Sequence, residues 1–152
     1  MILVYCMNMI MKLKLGMIPE IVMNNSLKTN PTALYEAAND AGSAAGDAVV
    51  PTPMVVGTAK GLLDDAIDKS KPMYFVEGGV CGFATVIVKP ARGKFVKFCK
   101  DNKLGYKWYY GGYAIPVRGY GQSLTKKEAY ARAFAGVLNK AGVNCYVDSR
   151  MD

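Results

Sequence analysis

The sequence predicts an α+β fold: a single domain with one mostly antiparallel sheet of four to five strands and about three helices against one face. Two long segments, 31–48 and 125–141, place apolar residues at helical spacing behind residues that cap helix starts. Between and after them lie short runs rich in valine, isoleucine and aromatic residues, bounded by glycine or proline, as strands are. These elements alternate along the chain with no internal repeat, linker or second apolar core. At 152 residues the chain has the length of one ordinary domain, enough to bury roughly 70% of the surface its unfolded form exposes.

Residues 1–22 are expected to lie outside that domain, which occupies 23–152. The apolar run 1–11 is interrupted by Asn8 and followed by Lys12 and Lys14. It is shorter than the roughly 20 apolar residues a membrane span needs, and its charges follow the apolar run where a signal peptide's precede it. Six of the nine methionines fall within the first 23 residues, so a translation start at Met17 or Met23 is the expectation.

The helix 31–48 opens on Asn30 as cap and Pro31 as first residue, with Leu34, Tyr35, Ala37, Ala38 and Ala41 on its apolar side. Ala38, Gly42 and Gly46 recur every four residues and leave one face without bulk, so another backbone can come close. Each helical glycine costs about 1 kcal/mol relative to alanine, and tight packing is what repays it. Pro51 and Pro53 restrict 49–56 to an edge strand or an extended clamp. Leu62, Leu63 and Ile67 have the spacing of one or two helical turns, with Asp64, Asp65 and Asp68 on the solvated side in no calcium-loop pattern. Residues 73–88 read as a hairpin turning at Glu77, Gly78 and Gly79, with Gly82 marking a bulge or a close backbone approach.

Pro90 ends that strand, and 93–103 reads as a helix with Phe95, Phe98, Cys99 and Asn102 on one side, stopped at Gly105. Residues 106–110 and 113–118 are strand-like, and Gly111-Gly112 between them is a hairpin turn or a bulge; Pro116 assigns the second piece to an edge. In the last helix Thr125 and Glu128 form a capping box. Tyr130, Phe134, Val137, Leu138 and Ala141 follow at helical spacing, and Gly142 supplies the stop. Residues 143–147 close the sheet and 148–152 form a polar tail.

The net charge of +7 comes entirely from the second half. Residues 1–88 hold six Lys/Arg against eight Asp/Glu, and residues 89–152 hold thirteen against four. A basic half attracts polyanions through a force that salt weakens, and it also contains the aromatic stretch 106–113, whose rings are of the kind that stack on bases. Strand alternation directs Lys107 and Tyr109 outward and Trp108 inward. The loop from Gly119 to Ser123 runs into a helix start, where free backbone N–H groups and Lys126 and Lys127 would suit an anion, although it lacks phosphate-loop spacing. The ligand-contacting set is therefore Lys107, Tyr109, Tyr110, Arg118, Tyr120, Gln122, Ser123, Lys126, Lys127 and Arg150.

The chain has no histidine, which excludes Ser-His and Cys-His nucleophile pairs and histidine-based zinc sites. Cys6, Cys81, Cys99 and Cys145 show no Cys-x-x-Cys spacing and suit a reducing interior without structural disulfides. A nucleophilic Cys81 would need Lys, Arg or a helix terminus to hold its thiolate. The sequence contains no catalytic, metal, cofactor or membrane motif. Two functions follow as expectations: a module that binds nucleic acid or nucleotide, or a protein-interaction or assembly module, such as a homo-oligomer, without catalytic activity.

The segments Pro51-Thr52-Pro53-Met54, Val80-Cys81-Gly82-Phe83-Ala84, Gly119-Tyr120-Gly121-Gln122-Ser123 with Lys126-Lys127-Glu128-Ala129, and Asp148-Ser149-Arg150-Met151-Asp152 together resemble a family of small proteins encoded by tailed bacteriophages and in environmental viral sequences. The resemblance covers roughly residues 37 to 152. It implies a viral origin and the cytoplasm of an infected cell, carries no assigned activity or catalytic residue, and agrees with a domain that starts after residue 22.

Overall fold

The computed structural model describes residues 27–152, so the expectation for residues 1–22 lies outside the described residues. Helix α1 spans Pro31–Ala48, and the side-chain oxygen of Asn30 accepts from the backbone N–H groups of Thr32 and Ala33. Strands β1 (Met54–Val56), β2 (Ala59–Gly61), β3 (Asp64–Ile67) and β4 (Tyr74–Val76) follow, then β5 (Gly82–Val88). Helix α2 (Lys94–Asp101), strands β6 (Tyr106–Lys107) and β7 (Tyr113–Pro116), helix α3 (Leu124–Lys140) and strand β8 (Cys145–Met151) complete the order.

The α+β class holds, but the strands do not form a single sheet. Four of them make an antiparallel sheet in the order β6-β7-β5-β8, while β1 pairs with β4 and β2 with β3 as two separate ribbons. Met54 faces Val76 and Val56 faces Tyr74 in the outer ribbon, and Ala59 faces Ile67 and Gly61 faces Asp64 in the inner one. Nested in this way, residues 54–76 form one long interrupted hairpin. The expected helical turns at 62–67 are therefore strand and tip, because Leu62, Leu63 and Ile67 have no helix face to bury against. The expected hairpin within 73–88 is also absent: β4 returns to β1, and β5 lies between β7 and β8.

β5 is the centre of the sheet, and five of its seven residues are buried in an unbroken run, Ala84 to Val88. Ala84, Val86 and Val88 face the three helices, where they join Ile115, Phe95, Cys99, Ala131, Phe134 and Leu138 in the core. α1 and α3 pack directly on each other through the small-residue face. A Cβ at Gly42 would come within 2.8 Å of the Tyr130 ring, and one at Gly46 within 2.5 Å of the Tyr120 ring. Gly82 is a close approach, since a Cβ there would collide with the Arg150 carbonyl on β8.

Three termini differ from expectation. α2 stops before Gly105, with Lys103 in the left-handed region at φ 54°; its N–H and that of Leu104 bond to the carbonyls of Lys100 and Cys99. Gly105 instead keeps room for the Ala114 carbonyl across the β6–β7 pair. α3 begins two residues early, with Ser123 as N-cap and no side-chain cap bond; Thr125 therefore lies within the first turn and forms no capping box, and Glu128 accepts from the Ser149 hydroxyl at 2.6 Å. Residues 148–151 are not a tail but the outer half of β8, paired with Gly82 to Thr85.

Pro116 lies on an interior strand, not an edge. It sits at the end of β7 beyond the reach of the two-residue β6, and Val117 beside it bonds to β5, so the proline nitrogen points to the side where no partner strand exists. The segment 106–118 is a hairpin: Tyr106 faces Ala114 and Lys107 faces Tyr113. Its loop is longer than Gly111-Gly112, and is closed by bonds from Trp108 N–H to the Gly112 carbonyl and from Gly111 N–H to the Trp108 carbonyl.

Candidate functional site

With α1, α2 and α3 on one face of the sheet, alternation assigns the other face to Phe83, Thr85 and Ile87 on β5, Ala114 and Pro116 on β7, Tyr106 on β6, and Tyr146, Asp148 and Arg150 on β8. Phe83, Tyr106 and Tyr146 are exposed there, whereas Ile87 and Ala114 beneath them are fully buried although no helix of the described residues packs on this face. Cations lie beside the rings: Lys89 Nζ is 5.5 Å from the Tyr146 centroid, and the Arg150 guanidinium is 5.5 Å from that of Phe83.

The hairpin loop extends the aromatic row past the sheet edge. Trp108 stands 6.2 Å from Tyr106 and 6.3 Å from Tyr110, and Tyr109 meets Tyr110 edge-on at 5.0 Å. Trp108 is half-buried and, with Phe83, Thr85, Tyr106, Pro116, Asp148 and Arg150, lines a depression of about 180 Å³. It therefore faces the open side of the sheet and not the helical core. Tyr109 is 89% exposed beside the Tyr110 ring.

The ten residues singled out from sequence do not form one cluster. Tyr109, Tyr110 and Arg150 belong to the open face and its loop. Lys107 lies opposite Tyr113, whose side chain is in the core, so it projects from the helix side at the sheet edge. Arg118 and Tyr120 line a different cleft of about 330 Å³ between α1 and the chain leaving β7, with Tyr35, Asn39, Tyr130 and Phe134. Lys126 Nζ lies 6.0 Å from the Tyr120 ring. Gln122 is exposed at the loop and its carbonyl accepts from Gly82 N–H.

Ser123 and Lys127 are buried. Ser123 Oγ has no hydrogen-bond partner among the described residues. Lys127 is 4% exposed, and its ammonium donates to the Gly82 carbonyl at 2.9 Å. The N–H groups of Ser123 and Leu124 are likewise occupied, by the carbonyls of Tyr120 and Val80. At the start of α3 the Lys127 ammonium thus holds β5, the Leu124 N–H holds the chain entering it, and the Ser123 N–H closes its own loop.

Tyr120 has φ 67°, a left-handed conformation that is uncommon for a bulky residue. Its ring lies over Gly46 and its hydroxyl donates to the Ser43 carbonyl at 3.1 Å, while burial and then the nearby Asp47 carboxylate push its pKa up. Tyr130 donates to Asn39 Oδ1 at 2.6 Å, and burial pushes its hydroxyl up to about 12. Burial also raises the Cys99 and Cys145 thiols, to about 12 and about 11. Both are thereby kept neutral and inert.

Sequence reasoning missed Phe83, Lys89, Tyr106 and Tyr146, and placed Trp108 inward. The period-two pattern Phe83, Thr85, Ile87 and Tyr146, Asp148, Arg150 carries a signal for one shared face, but only the β5–β8 register joins the two sets. Among the described residues no group of three His, Cys, Asp or Glu is arranged to hold a metal ion, and no helix is long and apolar enough to cross a membrane. No protein-family model, curated protein or solved structure matches this chain.

Proposed function

We propose that the protein binds single-stranded nucleic acid across the open face of its four-stranded sheet. One observation carries this reading: the face that no helix of the described residues covers exposes Phe83, Tyr106 and Tyr146, with Lys89 and Arg150 beside two of these rings. Flat rings on a rigid sheet offer stacking to bases of any sequence, and cations between them meet the phosphates of the same strand. Trp108 and Tyr110 extend the row toward the hairpin loop. The basic balance of residues 89–152 supplies long-range attraction, and Asp148 is the one acidic group among the described strand residues assigned to the face. With the bacteriophage resemblance, the proposal becomes a viral accessory protein acting on nucleic acid in the cytoplasm of an infected cell.

Trp108 is the chain's single tryptophan, so its fluorescence reports stacking without a label. Titration with a single-stranded oligonucleotide at low salt is expected to quench it, and each phosphate contact to contribute about 0.7 to the slope of log affinity against log salt. Tyr106→Ala and Phe83→Ala are each expected to cost about 1–3 kcal/mol of binding with little loss of stability. Arg150→Ala is expected to flatten the salt slope by the share of one contact. Absence of quenching at low salt, with no shift in oligonucleotide mobility, would reject the proposal.

A further inference from the structure

The long hairpin of β1 to β4 ends in a feature that the open sheet face does not use. Leu62 and Leu63 join β2 to β3 across the Gly61–Asp64 pair and are 101% and 98% exposed. Along the same hairpin Val55, Val56, Met73, Tyr74 and Phe75 are exposed as well. Two adjacent leucines at the tip of a ribbon contribute nothing to the fold that carries them, and a two-stranded ribbon is marginal alone in water. Contiguous exposed apolar surface of this kind marks an interaction site.

Charge decides the class of partner. Asp64 and Asp65 follow the leucines directly, and residues 49–80 hold four acidic against three basic side chains. An acidic tip is repelled by anionic lipid and by nucleic acid, whereas residues 89–152 of this same chain carry thirteen basic side chains against four acidic. That body also contains a receptor of matching chemistry. The cleft between α1 and the end of β7 has an apolar floor of Val86, Leu104, Ile115 and Phe134. On its lining stand the Arg118 guanidinium and the Tyr35 hydroxyl, neither of which makes a hydrogen bond or ion pair among the described residues.

We infer that a second copy of this chain is the occupant: Leu62 and Leu63 of one copy enter the cleft of its neighbour, and Asp64 and Asp65 meet Arg118 there. Tip and cleft are different surfaces, so each copy can both give and receive the contact. Reciprocal exchange of hairpins closes a dimer, and one-way insertion builds a ring or a chain.

The test uses the full chain in sedimentation velocity from micromolar to millimolar concentration. Wild type is expected to gain mass with concentration, and the double variant Leu62→Ser, Leu63→Ser to remain a monomer with an unchanged melting temperature, because the tip leucines are fully exposed. Arg118→Glu is expected to stay monomeric too, and Asp64→Arg with Asp65→Arg to restore its association. A photo-crosslinker at position 62 is expected to label Tyr35, Leu104 or Tyr130 of another copy. A monomeric wild type at every concentration, association unchanged by the tip variant, or crosslinks confined to another surface would each overturn the inference. So would binding of wild type, but not of the tip variant, to vesicles of neutral or anionic lipid. The oligonucleotide titration reads a different surface, so either proposal can fail alone.

Discussion

Lys127 shows how far a single residue can depart from its surface chemistry. Its long stem is buried with α3 in the sheet layer and its ammonium is spent on the Gly82 carbonyl, so it pins the start of β5 to the first turn of α3. Lys127→Ala is expected to lower stability by about 1.5–3 kcal/mol, since it leaves a buried carbonyl that a charged donor had satisfied; urea unfolding measures this. Oligonucleotide affinity of the folded variant is expected to match wild type, whereas a phosphate-contacting role would produce the opposite pair of results. At the same scale, Cys99 and Cys145 are expected to resist a thiol reagent until the protein unfolds, and the partly exposed Cys81 to react in the native state.

At the scale of elements, the α1–α3 contact depends on the absence of side chains as much as on their presence. Tyr130 stacks on Phe134 at 5.8 Å and is tied to Asn39, so its ring has little freedom to retreat from a new methyl group. Gly42→Ala is expected to destabilise by about 1–2 kcal/mol, the overpacking penalty outweighing the gain in helix propensity. Gly136→Ala in α3, where a Cβ meets nothing within 4 Å, is expected to stabilise by about 0.5–1 kcal/mol. Thermal melts of the two variants should therefore move in opposite directions. Phe134 is 1% exposed in the centre of the core, and Phe134→Ala is expected to cost about 3–5 kcal/mol by chemical denaturation.

For the whole molecule, buried acids set an alkaline limit. Burial raises Cys99 from 9.0 to about 12, Cys145 from 9.0 to about 11 and Tyr130 from 10.0 to about 12. In the unfolded chain these groups lose their protons near the ordinary values, so ionisation favours unfolding as soon as pH passes 9.0. Their contribution is complete below that point and is lost progressively as pH rises toward 12. Urea midpoints are expected to be flat from neutral pH to about 9 and to fall above it, less steeply in a Cys99→Ala, Cys145→Ala double variant.

Local chemistry settles what one stretch of chain can settle alone. Asn30 and Pro31 start α1, the small-residue face of α1 packs closely, Phe134 and Leu138 fill the core, and Gly142 stops α3, each for a reason carried within a few residues. The lack of histidine and the charge imbalance are likewise complete in the sequence. Pairing between distant strands is not. Whether β4 meets β5 or β1, whether 62–67 winds as a helix, and whether 148–151 joins a sheet all depend on which long-range partner buries more surface, and no local pattern states that. The same holds for the open face: Phe83, Tyr106 and Tyr146 come from three strands, and only the registers of β6 with β7, β7 with β5 and β5 with β8 bring them together. Lys127 was misread for the same reason, because its hydrogen-bond acceptor lies 45 residues away in the chain.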